Sequence, residues 1–154
     1  ALLAAEGYAQ YEVSAYAQAG RQARHNLNYW SFGDFLGIGA GAHAKLSAPD
    51  GRIVRSWKTR LPKDYLDPAK AFQAGERVLD AEELPFEFLM NVLRLSDGAP
   101  AALFEQRTGL PLASLEQARR EAEARQLLQS DPQRLVATRE GQLFLNDLLQ
   151  HFLP

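Results

Sequence analysis

The stretch HNLNYWSFGDFLGIGAGAHAKLSAPDGRIVRSWKT, residues 25–59, carries the densest chemistry of the chain and sets the reading of its fold. Pro49-Asp50-Gly51 is a tight-turn signal, because proline presets one dihedral, aspartate bonds nearby backbone and glycine tolerates positive φ. It separates two runs, FLGIGAGAHAKL and RIVRSWKT, so a β-hairpin is predicted from about Phe35 to Thr59. Gly37, Gly39 and Gly41 recur at period two, which would strip one face of a regular strand of its side chains. Glycine inside a strand costs stability and commonly marks close approach by a ligand or another backbone. His43 shares that bare face if the strand is regular. The preceding HNLNYW is compact and reads as a short helix or turn.

Working outward, YEVSAY (Tyr11–Tyr16) reads as a strand, entered from the tail of an amphipathic helix, an internal stretch of a longer protein. On the other side the character changes near residue 60, where Gly- and Tyr-rich alternation gives way to helical composition. Asp67-Pro68 predicts an N-cap and first-turn proline opening a helix to about Asp80. PFEFLMNVLRL, residues 85–95, reads as a central core helix stopped at Gly98. Pro100 opens a short helix ended by Thr108-Gly109. Ser114 with Gln117 predicts a capping box for LEQARREAEARQLL. Two short strands, Leu127–Gln129 and Arg134–Ala137, flank a polar turn. Thr138 caps a last helix with Leu143, Phe144, Leu148, Leu149 and Phe152 on its apolar side. Three helices, a two-strand wing and a helix are the order of a winged-helix unit. The class predicted is therefore α+β: hairpin and strands over residues 1–60, then a mostly helical, winged-helix-like domain over 61–154.

A chain of 154 residues with 46% hydrophobic and 23% charged residues is long enough to bury a core, since folding at this size removes roughly 70% of the extended chain's surface. Net charge is −2, which advertises neither nucleic acid nor an anionic membrane, and no apolar run reaches spanning length. The absence of cysteine excludes a thiolate-ligated iron–sulfur cluster, a thiol nucleophile and a disulfide within these residues. It also fits a reducing cytoplasm. The winged helix is not read as a DNA reader. Glu116, Glu121 and Glu123 interleave with Arg119, Arg120 and Arg125, and pairing at i,i+4, as of Glu121 with Arg125, makes a solvated face.

His25, His43 and His151 are the available imidazoles. In HNLNYW, His25 could ligate haem iron while Tyr29 and Trp30 stack on a porphyrin. The competing reading is a satisfied turn, with Asn26 and Asn28 capping backbone, His25 bonded to a carbonyl and Trp30 in the core. His43 beside bare backbone reads as a site residue or as a buried structural histidine. His151, in the final turn of the last helix, reads as a cation favoured by the helix dipole.

Several spaced motifs together resemble the HemW-type radical S-adenosylmethionine family, whose relatives include oxygen-independent coproporphyrinogen III dehydrogenases. The family's His-Asn-x-x-Tyr-Trp pattern is matched by His25, Asn26, Tyr29 and Trp30, and its glycine-rich GIGxGAH strand by Gly37, Ile38, Gly39, Gly41, Ala42 and His43. PFEFLMNVLRL resembles the family's ExxMNxLRL stretch, and the close LVATREGQLFLNDLLQHFL keeps Thr138, Gly141, Leu145, Asn146 and Phe152 in register. The resemblance covers essentially the whole chain. It implies a C-terminal portion: residues 1–60 as the last strands of a partial radical S-adenosylmethionine barrel, and 61–154 as the HemN-type C-terminal domain. It implies a [4Fe–4S] cluster and S-adenosylmethionine in the missing N-terminal barrel half, whose cysteines this chain lacks. It further implies haem as the molecule bound, with His25 as iron ligand and Asn26, Tyr29 and Trp30 beside it, and Gly37, Gly39, Gly41 and His43 near a cofactor. No residue of the chain is catalytic on this reading.

The implied role is haem binding and delivery to respiratory proteins in the cytoplasm, with any membrane association made through those partners. Open barrel edges would favour dimerisation or strand exchange. A second reading makes the chain part of a porphyrinogen substrate pocket in porphyrin biosynthesis. A third makes it a winged-helix module that binds protein.

Overall fold

The computed structural model describes residues 2–154 and divides the chain into two compact units, residues 2–32 with 81–154, and residues 33–80. Both are built from helices and small antiparallel sheets, the α+β class predicted, and no closed barrel is present among the described residues.

The larger unit begins with α1 (Leu2–Ala5) running into β1 (Tyr8–Glu12), which pairs with β2 (Ala15–Gln18). YEVSAY is thus a hairpin and not one strand. Ser14 donates its hydroxyl to Glu12 Oε1 at 2.9 Å and Gln10 Nε2 bonds the Val13 carbonyl, so local side-chain bonds fold the segment at its middle. The helix α2 (Arg24–Trp30) follows, as HNLNYW predicted.

After residue 80 the core helix α4 (Leu84–Val92) buries Phe88, Leu89 and Val92 completely. Phe88 lies edge-on between Phe32 and Phe104, at ring-centroid distances of 5.6 and 5.3 Å. Such T-shaped pairs add about 1 kcal/mol each beyond the area buried. Pro100 does not open the next helix but lies in β6 (Ala99–Pro100), and α5 (Ala102–Thr108) ends at Gly109, the predicted end, there in the left-handed conformation. The Ser114–Gln117 capping box does not form. Pro111 starts a 3₁₀ turn, Leu112–Leu115, within which the Ser114 hydroxyl bonds the Pro111 carbonyl, and this turn continues directly into α6 (Glu116–Ala124). On α6 the ion pairs are Arg119–Glu123 and Arg120–Glu116, and Glu121 faces His151 instead of Arg125.

The predicted strand pair around the polar turn is reduced to one bridge, Leu128 with Ala137, while β7 (Arg134–Leu135) pairs with β6. Arg119 is buried beneath this wing and donates to the Asp131 carbonyl. Thr138 caps the last helical segment, its Oγ1 accepting from the Gly141 amide at 2.9 Å. That segment breaks at Phe144 into α7 (Arg139–Leu143) and α8 (Leu145–Gln150). The break turns Leu143 and Phe144 outward, so only Leu148, Leu149 and Phe152 of the predicted apolar side are buried.

The smaller unit is a three-stranded antiparallel sheet in the order β3 (His43–Ser47), β4 (Ile53–Lys58), β5 (Gln73–Val78), with α3 (Pro62–Tyr65) between β4 and β5. The hairpin across Pro49-Asp50-Gly51 is as predicted. The helix predicted from Asp67 to Asp80 is instead a turn and a strand. Asp67 Oδ1 accepts from the Ala69 amide, which satisfies a turn, and residues 73–78 take up the free edge of β4. Gly75 lies against the face of Trp57, so close that a Cβ would sit 2.4 Å from the indole. Sheet pairing and this close packing override helical propensity.

Candidate functional site

Helical spacing places His25 and Tyr29 on one face of α2, their rings 6.0 Å apart and tilted by 55°. Tyr29 meets the half-buried Trp30 edge-on at 5.5 Å. The helix has no side-chain N-cap. It is tied to β1 through Asn26, whose Nδ2 donates to the Tyr11 hydroxyl at 3.2 Å. Asn26 therefore bonds a phenol, not backbone. The His25 imidazole is exposed and, among the described residues, takes no part in any hydrogen bond or ion pair. The satisfied-turn reading required it to bond a carbonyl. Both ring nitrogens are thus available to an incoming partner.

Behind this face lies a charged group that sequence reasoning did not single out. Arg94, just past α4, stacks its guanidinium on Trp30 with Cζ 4.4 Å from the ring centroid. Its Nη2 is 3.7 Å from Oε2 of the buried Glu12. Glu12 Oε2, Arg94 Nε and Trp30 Nε1 are all buried without a hydrogen-bond partner. A carboxylate, a guanidinium and an indole N–H in this condition are costly, and they cluster beside the HNLNYW helix. The signal for Arg94 was a lone cation within the largely apolar run FLMNVLRL. No periodicity could show that it reaches Trp30, which lies 64 positions earlier by number (94 − 30).

The second predicted group lies in the smaller unit. Residues 36–42 are not a strand. After the bridge between Phe35 and Lys45 the chain loops out, with Gly39 at φ 109° and Gly41 at φ 71°. The bare strand face that would have joined His43 to the glycines is therefore absent. Gly37 is required for another reason: a Cβ there would meet the His43 carbonyl oxygen at 2.2 Å. The loop is held by the Gly39 amide donating to the Tyr65 hydroxyl and the Gly41 amide to the Thr59 carbonyl. His43 starts β3 and is exposed, not a buried structural histidine.

Below the loop the buried Lys45 donates to Asp34 Oδ1 at 2.8 Å, and the Ser47 amide and hydroxyl bond the same carboxylate. Partial burial alone would raise the Asp34 carboxyl. The bonds from Lys45 and Ser47, with the lysine charge, outweigh it and hold the group below the usual carboxylate range. His151 is largely buried, with Nδ1 3.6 Å from Glu121 Oε2, so a carboxylate as well as the helix end faces it.

Among the described residues no three His, Asp or Glu side chains converge as a metal cage, and no helix is long and apolar enough to cross a membrane. What α2 offers is a single exposed imidazole beside flat rings. That donor set fits one axial position of a planar macrocycle better than a bare ion.

The family model for the HemN C-terminal domain matches residues 79–144. The chain is 46% identical over 152 residues to the heme chaperone HemW of Escherichia coli (strain K12), covering 99% of this chain and 40% of that protein. It is 44% identical to the heme chaperone HemW of Haemophilus influenzae, covering 99% and 39%, and 29% identical to that of Bacillus subtilis, covering 97% and 39%. The chain therefore spans about 40% of the length of these relatives. A solved coproporphyrinogen III oxidase (HemN) from Escherichia coli, described as a radical SAM enzyme, superposes with a TM-score of 0.64. That match covers 98% of this chain and 38% of the enzyme at 13% identity, a likeness of fold alone. By the sequence matches, the chain belongs to the HemW and HemN-like family and corresponds to its C-terminal portion.

Proposed function

We propose that this chain is the haem-binding and haem-delivering portion of a radical S-adenosylmethionine haem chaperone, with His25 as axial ligand to the iron. The single observation that carries the reading is the state of His25. It is exposed on α2 and engaged in no hydrogen bond or ion pair among the described residues, within contact of the Tyr29 ring. A structural histidine in a closed turn would have its nitrogens satisfied. Here Asn26 and Trp30 do the structural work, fixing α2 to β1 and to Arg94, and leave the imidazole presented to solvent.

The finer assignments follow from this reading. Haem is the cargo, bound through the imidazole with Tyr29 and Trp30 beside the ring system. Gly37, Gly39 and Gly41 form a loop of half-exposed backbone, followed by the exposed His43 at the start of β3, suited to lie along a cofactor. Residues 1–60 act as the final strands of the parent's partial barrel and 61–154 as its C-terminal domain, with a winged-helix-like arrangement of α4, α5, α6 and the turn bridged by Leu128 and Ala137. The cluster cysteines and the S-adenosylmethionine site belong to the rest of the parent. The partners are haem-requiring respiratory proteins and that missing half, and the setting is the cytoplasm.

The test is a titration of haemin into the chain and into His25→Ala, followed at the Soret band in oxidised and reduced states. A defined one-to-one spectrum that is altered or lost in the variant is expected. Identical weak spectra for the two proteins would remove His25 as ligand. Decarboxylation of coproporphyrinogen III by the full-length protein would favour the substrate-pocket reading instead.

A further inference from the structure

A groove of about 450 Å³ runs between α4 and α8 in the larger unit, within the size range of small-ligand sites. Phe86, Met90, Leu145, Leu149 and Leu153 line it together with Arg94 and two polar residues of α8, Asn146 and Gln150. Leu153 stands more than half exposed at its rim. The same Arg94 stacks on Trp30, and Trp30 leads through Tyr29 to His25. Groove and imidazole are thus joined by three successive ring contacts within one unit.

Arg94 is a cation with donor capacity to spare. Among the described residues its one charged contact is Glu12, with Nη2 3.7 Å from Oε2, too long for a hydrogen bond, while the buried Nε has no partner either. The side chain is 28% exposed and lines the groove, while its guanidinium is held against the indole. A guanidinium fixed in this way is preorganised for a carboxylate, which it can bind through two parallel N–H···O bonds. An aliphatic and aromatic wall beside such a cation matches a molecule that is apolar over a broad face and carries a carboxylate at its edge.

The geometry points to Arg94 as the residue that receives a propionate of a tetrapyrrole whose apolar edge lies in the α4–α8 groove. This rests on the haem-binding reading and extends it from iron ligation to recognition of the macrocycle's charged edge. His25 then supplies iron ligation and the groove with Arg94 supplies affinity for the carboxylated rim, which makes the two separable.

The test compares haemin with haemin dimethyl ester, in which both propionates are neutralised, on the unmodified chain. Equilibrium binding is measured by Soret absorbance. The ester is expected to bind about tenfold or more weakly, the loss of one charge-assisted bonded pair, with the same band shape because His25 is untouched. Arg94→Gln is expected to weaken haemin by a similar factor and to abolish the preference over the ester. Because Arg94→Gln leaves the Glu12 carboxylate without its cation, Glu12→Gln with Arg94→Gln is the paired variant that removes both charges. Gln150→Trp, at the groove, is expected to weaken both ligands alike. Equal affinity of haemin and its ester on the unmodified chain, with a His25-dependent spectrum, overturns the role of Arg94 and leaves the haem reading standing. Absence of any His25-dependent haemin spectrum overturns both.

Discussion

If His25 is displayed for a ligand and not used to hold the fold, its removal leaves stability almost unchanged. In His25→Ala the loss is one tilted ring contact with Tyr29 at 6.0 Å. For an exposed pair at that separation the contribution is about 0.5 kcal/mol, the low end for aromatic pairs. Against it stands the better helix propensity of alanine inside α2, also about 0.5 kcal/mol. No hydrogen bond or ion pair is broken among the described residues. The two terms cancel, and the expected change is zero within about 0.5 kcal/mol. A histidine whose nitrogen satisfied a buried carbonyl would cost about 1–3 kcal/mol on the same substitution. Urea unfolding of the two proteins, followed by far-ultraviolet circular dichroism with a shared m-value, separates these cases. A loss beyond about 1 kcal/mol would refute the reasoning, because the imidazole would then be part of the fold. A flat result makes any spectral effect of the variant on haemin interpretable as ligation.

Two further substitutions test the packing that positions the site. Gly141→Ala gains up to about 1 kcal/mol of helix propensity, yet its Cβ would sit 1.9 Å from the Leu127 carbonyl oxygen, which already accepts from the Thr138 amide. Overpacking against backbone prevails, so a net loss of about 1–2 kcal/mol and a lower Tm are expected, and an unchanged or raised Tm would contradict the close approach. Asp34→Asn removes the carboxylate that holds the buried Lys45 and is expected to cost about 3 kcal/mol near neutral pH. The Asp34 carboxyl is depressed in the folded state. Its contribution is therefore complete above the unfolded value, about 4, and is lost as pH falls through the lower folded value. Thermal scans from acid to neutral pH should show the gap between parent and variant closing at the acid end, and a gap independent of pH would rule the ion pair out as its cause.

Much of the layout was legible because it depends on local chemistry. Pro49-Asp50-Gly51 makes a hairpin, Gly109 ends α5 and Thr138 caps α7, since each needs only its own neighbours. The HNLNYW helix and the α4 core were readable for the same reason, one from compact spacing and the other from an apolar run with proline at its start. The failures lie where a distant partner decided. Residues 73–78 form a strand because β4 offers a free edge and Trp57 a face that only glycine can approach. The GIGAGA segment leaves the sheet because Gly37 meets the His43 carbonyl and Gly39 takes positive φ.

The site divides along the same line. Sequence by itself determined where the chemically dense stretch lies: an imidazole four positions before a tyrosine on one helical face, in a chain with no thiol. It could not decide whether that imidazole was engaged, because engagement depends on what α2 packs against. Only the tertiary structure brought Arg94 and Glu12 to Trp30 and tied Asn26 to Tyr11, leaving the His25 imidazole exposed and, among the described residues, outside any hydrogen bond or ion pair. Residues far apart in number meet because burying the apolar face of α4, against which α2 packs, outweighs the entropy of closing the chain between them.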